Sequence, residues 1–235
     1  MRDDRQCTPA SPRPGVPAGR RPPGMTVAAA ALLVAGAILC GEALWMKGKA
    51  MLAQVLLEHA FASELTDGAS RRPWPWADTW PVARVSAPRL GASAIVLASG
   101  SGQALAFGPG HLNGTPEPGE PGMAVYAAHR DTHFRFLADV LIGDTIEVTR
   151  SDGEIVHFRV ARTAVVRWDQ SGIDPHVRSV AGLALVTCWP LDGLTRGPLR
   201  YVVWAERVSG DGARAGAQGS PTPPRYPRSI APASL

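Results

Sequence analysis

The chain has 235 residues, of which 45% are hydrophobic, and it carries three cysteines and a formal net charge of +4. This composition excludes wholesale disorder and a disulfide scaffold, and the length allows one ordinary domain with additions. The basic excess lies at the two ends: residues 1–25 carry +3 and residues 209–235 carry +2, whereas residues 26–208 carry −1. Because the central part is nearly neutral, the sequence argues against nucleic-acid binding.

The N-terminal part of the chain divides into a polar arm and an apolar segment. Residues 1–24 are rich in Pro, Arg and Gly and predict a disordered cytoplasmic arm. Residues 25–46 contain one charged residue, Glu42, and are long enough for a helix that spans a bilayer. We therefore predict a single-pass signal anchor. Two alternatives are a signal peptide cleaved near Ala35–Ala37 and a lipoprotein signal ending at Cys40.

Charges around the apolar segment indicate its orientation. Five arginines precede it, and Lys47 and Lys49 follow it. The excess of arginine before the segment favours a cytoplasmic N-terminus and an exported C-terminal part. Residues 47–70 then place apolar side chains at helical spacing and predict an amphipathic helix and linker, which either separates the anchor from the next domain or packs against that domain.

After Gly68 the hydrophobic pattern becomes that of short β-strands. Residues 71–208 contain eight segments rich in Val, Ile, Ala and aromatic residues, at 82–86, 93–98, 104–107, 123–128, 144–149, 154–166, 183–187 and 199–207. Asp152-Gly153 is a turn signal between two of them and predicts a hairpin. Eight short strands with brief helical interruptions predict a mainly β fold, an eight-stranded β-barrel with short helices. Residues 209–235 predict a disordered tail.

The cysteines fall into three compartments if the anchor is retained. Cys7 lies in the arm, Cys40 in the membrane and Cys188 alone outside, so Cys188 has no disulfide partner within the chain. A lone exported cysteine is either a small buried hydrophobic residue or a reactive thiol. Cys188 ends an apolar strand and is followed by Trp189-Pro190, which favours a thiol at the rim of the barrel.

Two further residues stand at strand ends where they can assist that thiol. His129 follows the apolar strand 123–128, and a cysteine needs such a base because its thiolate is the nucleophile. Arg200 opens the last strand and returns beside Cys188 if the two strands are neighbours, where it can donate to a developing oxyanion. Arg196 is the second candidate donor. The spacing of His129 and His133 imitates a zinc-protease pair, but the required helix and glutamate are missing.

These residues together resemble the sortase family. Leu185–Cys188 is similar to its catalytic strand end, Leu-x-Thr-Cys, and His129-Arg130 and Arg200 occur in the order that the family uses. Three further segments resemble its Gram-negative branch, the class GN sortases: Trp74–Arg84, Leu105–His111 and His129–Phe134.

The resemblance implies a sortase-like barrel at 71–208 and a membrane-anchored cysteine transpeptidase in the inner membrane, with its catalytic domain in the periplasm. Its substrate would be a secreted protein with an LPxTG-like C-terminal sorting signal, transferred to an unidentified amine acceptor. Cys188 would form a thioacyl intermediate, His129 would act as general acid and base, and Arg200 would stabilise the oxyanion. No cofactor and no metal are expected.

Other functions stay open at this stage. A papain-like peptidase is disfavoured because here His precedes Cys and Cys ends a strand. A thiol peptidase that only hydrolyses the signal remains an alternative, because water can resolve the same intermediate. The non-enzymatic alternative is a membrane-tethered β-barrel binding module in which Cys188 belongs to the core.

Overall fold

The structure is a computed structural model that describes residues 23–175, 181–193 and 197–208, with side chains from residue 27 onwards. The chain divides into two compact units at Lys49/Ala50. Most of the predicted arm, the whole predicted tail and the candidate Arg196 lie outside the described residues.

The N-terminal element is a single helix. Helix α1 runs from Pro23 to Asp67, so the segments predicted as an anchor and as an amphipathic helix belong to one uninterrupted element. The side chains from Val27 to Leu52 are exposed. This part has a mean hydropathy of 2.2 over an 18-residue window and is long and apolar enough to cross a membrane. One N-terminal apolar helix that could span a membrane is therefore present.

The second unit includes the last turns of α1, which pack against the barrel. Leu57 and Phe61 are fully buried and share a cluster with three residues that follow in the chain, Ile95, Leu97 and Ala104. Polar contacts surround this cluster. Gln54 donates through Nε2 to the Phe107 carbonyl at 2.7 Å, and Arg84 pairs with Glu58. The guanidinium of Arg84 also lies 5.3 Å from the centre of the Phe61 ring.

Eight strands form a closed barrel within the described residues. The strand order around the barrel is β1-β2-β3-β4-β7-β8-β6-β5. The strands are β1 Pro81–Ala87, β2 Ala92–Leu97, β3 Gly110–His111, β4 Gly122–Ala127, β5 Thr145–Arg150, β6 Ile155–Arg167, β7 Ala181–Cys188 and β8 Leu199–Arg207. The predicted mainly β, eight-stranded barrel is thus confirmed, as is the β5–β6 hairpin with its turn at Asp152-Gly153.

One of the predicted strands is wrong. The sequence predicts a strand at 104–107, but Ala104–Ala106 is a 3₁₀ helix, in which the Phe107 N–H donates to the Ala104 carbonyl at 2.9 Å. The segment is apolar because Ala104 is buried in the cluster that contains Leu57 and Phe61 of α1, and not because it belongs to a strand.

The strand that the sequence does not predict is β3, which has only two residues and therefore no hydrophobic pattern. Gly110 pairs with Leu97 of β2 and with Ala127 of β4. A Cβ at Gly110 would lie 2.5 Å from the Ser99 carbonyl oxygen and 2.8 Å from the Gly100 Cα. Only glycine allows so close a backbone approach, which explains why the barrel closes at this residue.

The barrel interior and the outer surface of β4, β7 and β8 are both apolar. Alternate residues of these strands enter the interior, among them Tyr126, Leu185 and Val203. The intervening residues form a separate cluster on the outside, which contains Val125, Ala184, Val202 and Trp204. Burial on both faces explains why these strands are nearly continuous apolar runs in the sequence.

We expect Phe61→Ala to lower the free energy of unfolding by about 3 kcal/mol, because it removes a fully buried ring from the contact between α1 and the barrel. Urea denaturation of the full chain in detergent, followed by near-UV circular dichroism, measures this change. The control is Val55→Ala, on the exposed side of the same helix, which should change stability by less than about 0.5 kcal/mol. Equal effects would show that the helix does not stabilise the barrel.

Candidate active site

The pairing of three strands brings the predicted residues to one edge of the barrel. Strands β4 and β7 are parallel, with Ala127 opposite Val186, and the Ala128 N–H donates to the Val186 carbonyl at 3.1 Å. Continuing this register by two residues sets His129 alongside Cys188. Strand β8 is antiparallel to β7, and Arg200 lies directly opposite Cys188. The strands of Cys188 and Arg200 are therefore neighbours, which is the condition that the proposed place of Arg200 requires.

Cys188 and Arg200 also share a face of the sheet. Residues directly opposite each other on paired strands point to the same side, and side chains alternate along each strand. Cys188 therefore lies on the same side as Val186, and Arg200 on the same side as Val202, which is the outer surface of the barrel. Cys188 is a free, half-buried thiol, Arg200 is half-buried and His129 is exposed.

Two hydrogen bonds tie the chain after β4 to the chain at the end of β7. The buried Thr187 hydroxyl donates to the Ala128 carbonyl at 2.8 Å. Farther along, Arg130 donates through Nη1 to the Pro190 carbonyl at 2.8 Å. The first bond joins the residue before His129 to the residue before Cys188, and the second joins the residue after His129 to the second residue after Cys188. The backbone is therefore held on both sides of the pair. In the sequence Thr187 and Arg130 are recognisable only as parts of the motifs around Cys188 and His129, and no local pattern indicates these contacts.

The segment between Cys188 and Arg200 has its own contacts. The Trp189 N–H donates to the Leu199 carbonyl at 3.1 Å, and the Trp189 ring stacks on Tyr201 with ring centres 5.9 Å apart. Arg200 donates through Nη1 to the Gly197 and Leu199 carbonyls at 2.9 and 2.8 Å. Within the described residues its Nε and Nη2 hydrogens have no acceptor, so they are available to a ligand.

An apolar groove runs along the outer surface next to these residues. It has a volume of about 370 Å³ and includes Arg200 in its wall. Outward residues of β4, β7 and β8 form its floor, and two loops form its sides. The floor residues are Val125, Ala127, Val186 and Val202, and the side residues are Leu112, Thr115, Trp168, Ser171, Ile173 and Pro175. Trp168 is 64% exposed although it faces the groove. The groove therefore offers apolar surface to an extended chain, and its wall includes Arg200, the residue opposite Cys188.

His133 lies in the loop that begins at His129. Burial lowers the pKa of His133, the electrostatic interaction with the neighbouring His129 lowers it further, and a hydrogen bond with the Ala106 backbone opposes both effects. The His133 imidazole is therefore neutral near neutral pH. Among the described residues, no group of three or more His, Cys, Asp and Glu side chains is arranged to hold a metal ion.

The lowered pKa of His133 makes stability depend on pH. Because the unfolded chain, with an ordinary pKa of 6.5, binds this proton more readily, the free energy of unfolding is highest above pH 6.5 and falls as the pH drops toward the folded-state pKa. We expect His133→Gln to lose less stability than the unsubstituted chain between about pH 7.5 and about pH 5, as measured by urea denaturation. The exposed His59→Gln should keep the original slope. An unchanged slope in His133→Gln would contradict this assignment.

Comparison with known proteins adds an independent finding. The family model described as the sortase domain matches residues 85–208, just over half of the chain. Sortase D of Bacillus subtilis (strain 168) is 29% identical over 122 residues, which cover 52% of this chain and 61% of that relative. The match thus spans less than two thirds of the curated relative's length.

Solved structures agree with the family match. Sortase A from Corynebacterium diphtheriae has a TM-score of 0.51 at 27% identity, covering 57% of this chain and 63% of that chain. A Clostridium perfringens Sortase D5 transpeptidase has a TM-score of 0.55 at 20% identity, covering 68% of this chain and 99% of that chain, and it shares the fold. The matched segment contains His129, Cys188 and Arg200. The chain belongs to the sortase family.

Proposed function

We propose that this chain is a membrane-anchored cysteine transpeptidase that cleaves an LPxTG-like sorting signal near the C-terminus of a secreted protein and transfers the protein to an amine. The observation that carries this proposal is the strand register, which sets Cys188 opposite Arg200 and brings the end of β4 alongside the end of β7. An apolar groove adjoins these residues. A nucleophile, a base and an oxyanion donor beside a peptide-sized groove support acyl transfer.

In the proposed reaction the Cys188 thiolate attacks the carbonyl carbon of the scissile bond. The carbonyl oxygen becomes negatively charged and accepts hydrogen bonds from the available donors of Arg200. His129 protonates the leaving amine as the C–N bond breaks, which leaves a thioester on Cys188. An incoming amine then loses its proton to His129 and attacks the thioester, so that an amide forms and the thiolate is released.

The groove supports an apolar signal. On its floor the partly exposed Ala127 and Val186 present hydrocarbon to a bound peptide, and Trp168 adds a large exposed ring at the side. Leucine and proline side chains of an LPxTG-like segment bury apolar surface there. The wall residue Arg200 connects the groove with the proposed reaction centre.

We further propose that the enzyme belongs to the class GN branch and lies in the inner membrane with its catalytic domain in the periplasm. The branch is supported by the segments Trp74–Arg84, Leu105–His111 and His129–Phe134. The location is supported by the apolar part of α1, which could span a bilayer, and by the arginines that precede it.

The experiment mixes the full chain, purified in detergent, with a library of LPxTG-like peptides, with and without added amines. Mass spectrometry should detect a thioacyl adduct on Cys188 and an amide product that requires the amine. Cys188→Ala should abolish both, whereas Cys40→Ala, which removes the other described cysteine, should retain both. If only the hydrolysed peptide forms, whatever amine is added, the enzyme is a thiol peptidase. A Cys188 that resists alkylation, with function intact in Cys188→Ala, would indicate a binding module.

We expect Arg200→Ala to lower kcat by about 10²–10³-fold, because the oxyanion loses a charged donor. Single-turnover measurements with the best peptide of the library report this change as a slower thioester formation. Arg159→Ala is the matched control, since it removes an exposed arginine from the neighbouring strand β6 and should leave kcat unchanged. A normal rate of thioester formation in Arg200→Ala would remove this residue from the mechanism.

A further inference from the structure

His111 is a half-buried histidine that has no part in the proposed reaction. It is the second residue of the short strand β3 and lies directly opposite Tyr126 of β4. Its side chain is 12% exposed and packs edge-on against the Tyr126 ring, with ring centres 5.5 Å apart. Tyr126 itself is fully buried. The imidazole of His111 is therefore held in place where the barrel closes.

Both nitrogens of this imidazole face the loop that follows β3. Nε2 lies 3.1 Å from the Pro116 carbonyl oxygen and 3.0 Å from the Thr115 hydroxyl oxygen, and Nδ1 lies 3.8 Å from the Glu117 carboxylate. A carbonyl oxygen can only accept a hydrogen bond, so Nε2 carries a hydrogen and is the donor. This hydrogen is shared between the Pro116 carbonyl and the Thr115 hydroxyl.

Thr115 connects His111 with the groove. Its hydroxyl donates to the Leu112 carbonyl at 2.8 Å and accepts from the Val125 N–H at 3.3 Å. Thr115, Leu112 and Val125 line the groove, whereas His111 lies behind them. A hydroxyl has one hydrogen and two lone pairs, so its bonds with Leu112, Val125 and His111 use all three. The methyl group of Thr115 is then the part that remains for a ligand, which keeps this wall of the groove apolar.

The far half of the same loop is held by other residues. Arg150 donates through Nη1 to the Pro118 carbonyl at 3.3 Å, and Arg207 donates through Nη1 to the Gly119 carbonyl at 2.7 Å. Neither Pro118 nor Gly119 lines the groove. Loss of the His111 donor therefore affects the half of the loop that forms the groove, while the other half stays attached to the barrel.

We infer that His111 is a positioning residue for the sorting signal, which it binds only indirectly, through Thr115. The inference rests on the transpeptidase function proposed above. By donating to Thr115 and Pro116, His111 holds the wall formed by Leu112 and Thr115 against the floor residue Val125. Without this donor, a lone pair of the Thr115 hydroxyl loses its partner beside the groove, so a bound peptide meets a looser and more polar wall.

The binding test compares variants of His111 in the full chain, purified in detergent, with Cys188→Ala to prevent reaction. The probe is a fluorescein-labelled form of the library peptide that acylates Cys188 fastest. Fluorescence anisotropy should show about tenfold weaker binding to His111→Phe, because phenylalanine keeps a ring against Tyr126 but lacks the donor. His111→Gln, whose amide can still donate, should bind within about threefold of the chain that keeps His111.

Kinetics with Cys188 intact separate positioning from catalysis. Single-turnover thioester formation at saturating peptide should be unchanged in His111→Phe, whereas the peptide concentration for half the maximal rate should rise about tenfold. The matched control is His157→Phe, because the His157 Nδ1 also lies near a carboxylate, 3.6 Å from that of Glu147, but on β6 and outside the groove. This control should change neither quantity. A slower maximal rate in His111→Phe would contradict a role in positioning alone.

Thr115→Val tests the route of the effect. It removes the hydroxyl through which His111 acts, so adding His111→Phe to Thr115→Val should weaken peptide binding no further. An additive loss would show that His111 acts by another route and would overturn the inference. Hydrogen exchange measured by mass spectrometry provides the structural readout. Exchange should become faster at residues 112–117 in His111→Phe and stay unchanged in the β5–β6 hairpin, whereas faster exchange throughout the barrel would indicate general destabilisation instead.

The outcomes separate the two proposals. If no peptide acylates Cys188, the transpeptidase function fails, and the role of His111 in binding its signal fails with it. If a peptide acylates Cys188 but binds equally well to His111→Phe and to the chain that keeps His111, the role of His111 is wrong and the transpeptidase function stands.

Discussion

The parallel pairing of β4 with β7 is the constraint on which the rest of this structure depends. Paired residues of the two strands are 59 positions apart in the chain, and the strands pair over six residues, from Gly122 opposite Ala181 to Ala127 opposite Val186. Parallel strands end at the same edge, so the residues that follow β4 and those that end β7 meet there. β8 then returns antiparallel to β7 and adds Arg200. The backbone ladder therefore creates a site from residues that are distant in sequence.

This pairing also determines where apolar residues are needed. Strands β4, β7 and β8 have the barrel interior on one side and the outer cluster of Val125, Ala184, Val202 and Trp204 on the other. Burial on both sides holds these strands rigidly, and a site with precise geometry benefits from such support. The groove is the part of the outer cluster that stays open. The residues that stabilise the sheet and those that would bind an apolar peptide therefore form one continuous apolar surface.

The sequence predicted much of this arrangement because the relevant signals are local. Alternating apolar residues and turn signals located seven of the eight strands, and they put His129, Cys188 and Arg200 at strand ends. The strand Gly110–His111 was missed because two residues carry no periodicity, and 104–107 was misassigned because its hydrophobicity serves α1.

Long-range contacts account for what the sequence could not reveal. The hydrogen bond from Thr187 to Ala128 joins residues 59 positions apart, and the bond from Arg130 to Pro190 joins residues 60 positions apart. Likewise Leu112 and Trp168 belong to separate loops, and only the fold brings them to one groove. The groove depends on how these loops meet, for which a single sequence carries no pattern.

The two bonds from Thr187 and Arg130 have a consequence for how such a barrel diversifies. They fix the backbone around the thiol and the imidazole without using any residue of the loops that wall the groove. The segment that contributes Trp168 and Ile173 can therefore vary without disturbing this spacing. The segment of Leu112 and Thr115 is more restricted, because the Leu112 N–H donates to the Val125 carbonyl at 2.9 Å and the Val125 N–H donates to the Thr115 hydroxyl at 3.3 Å. Exchange of these walls would alter which peptides enter while the reactive pair keeps its spacing, so the chemistry and the choice of substrate can evolve separately.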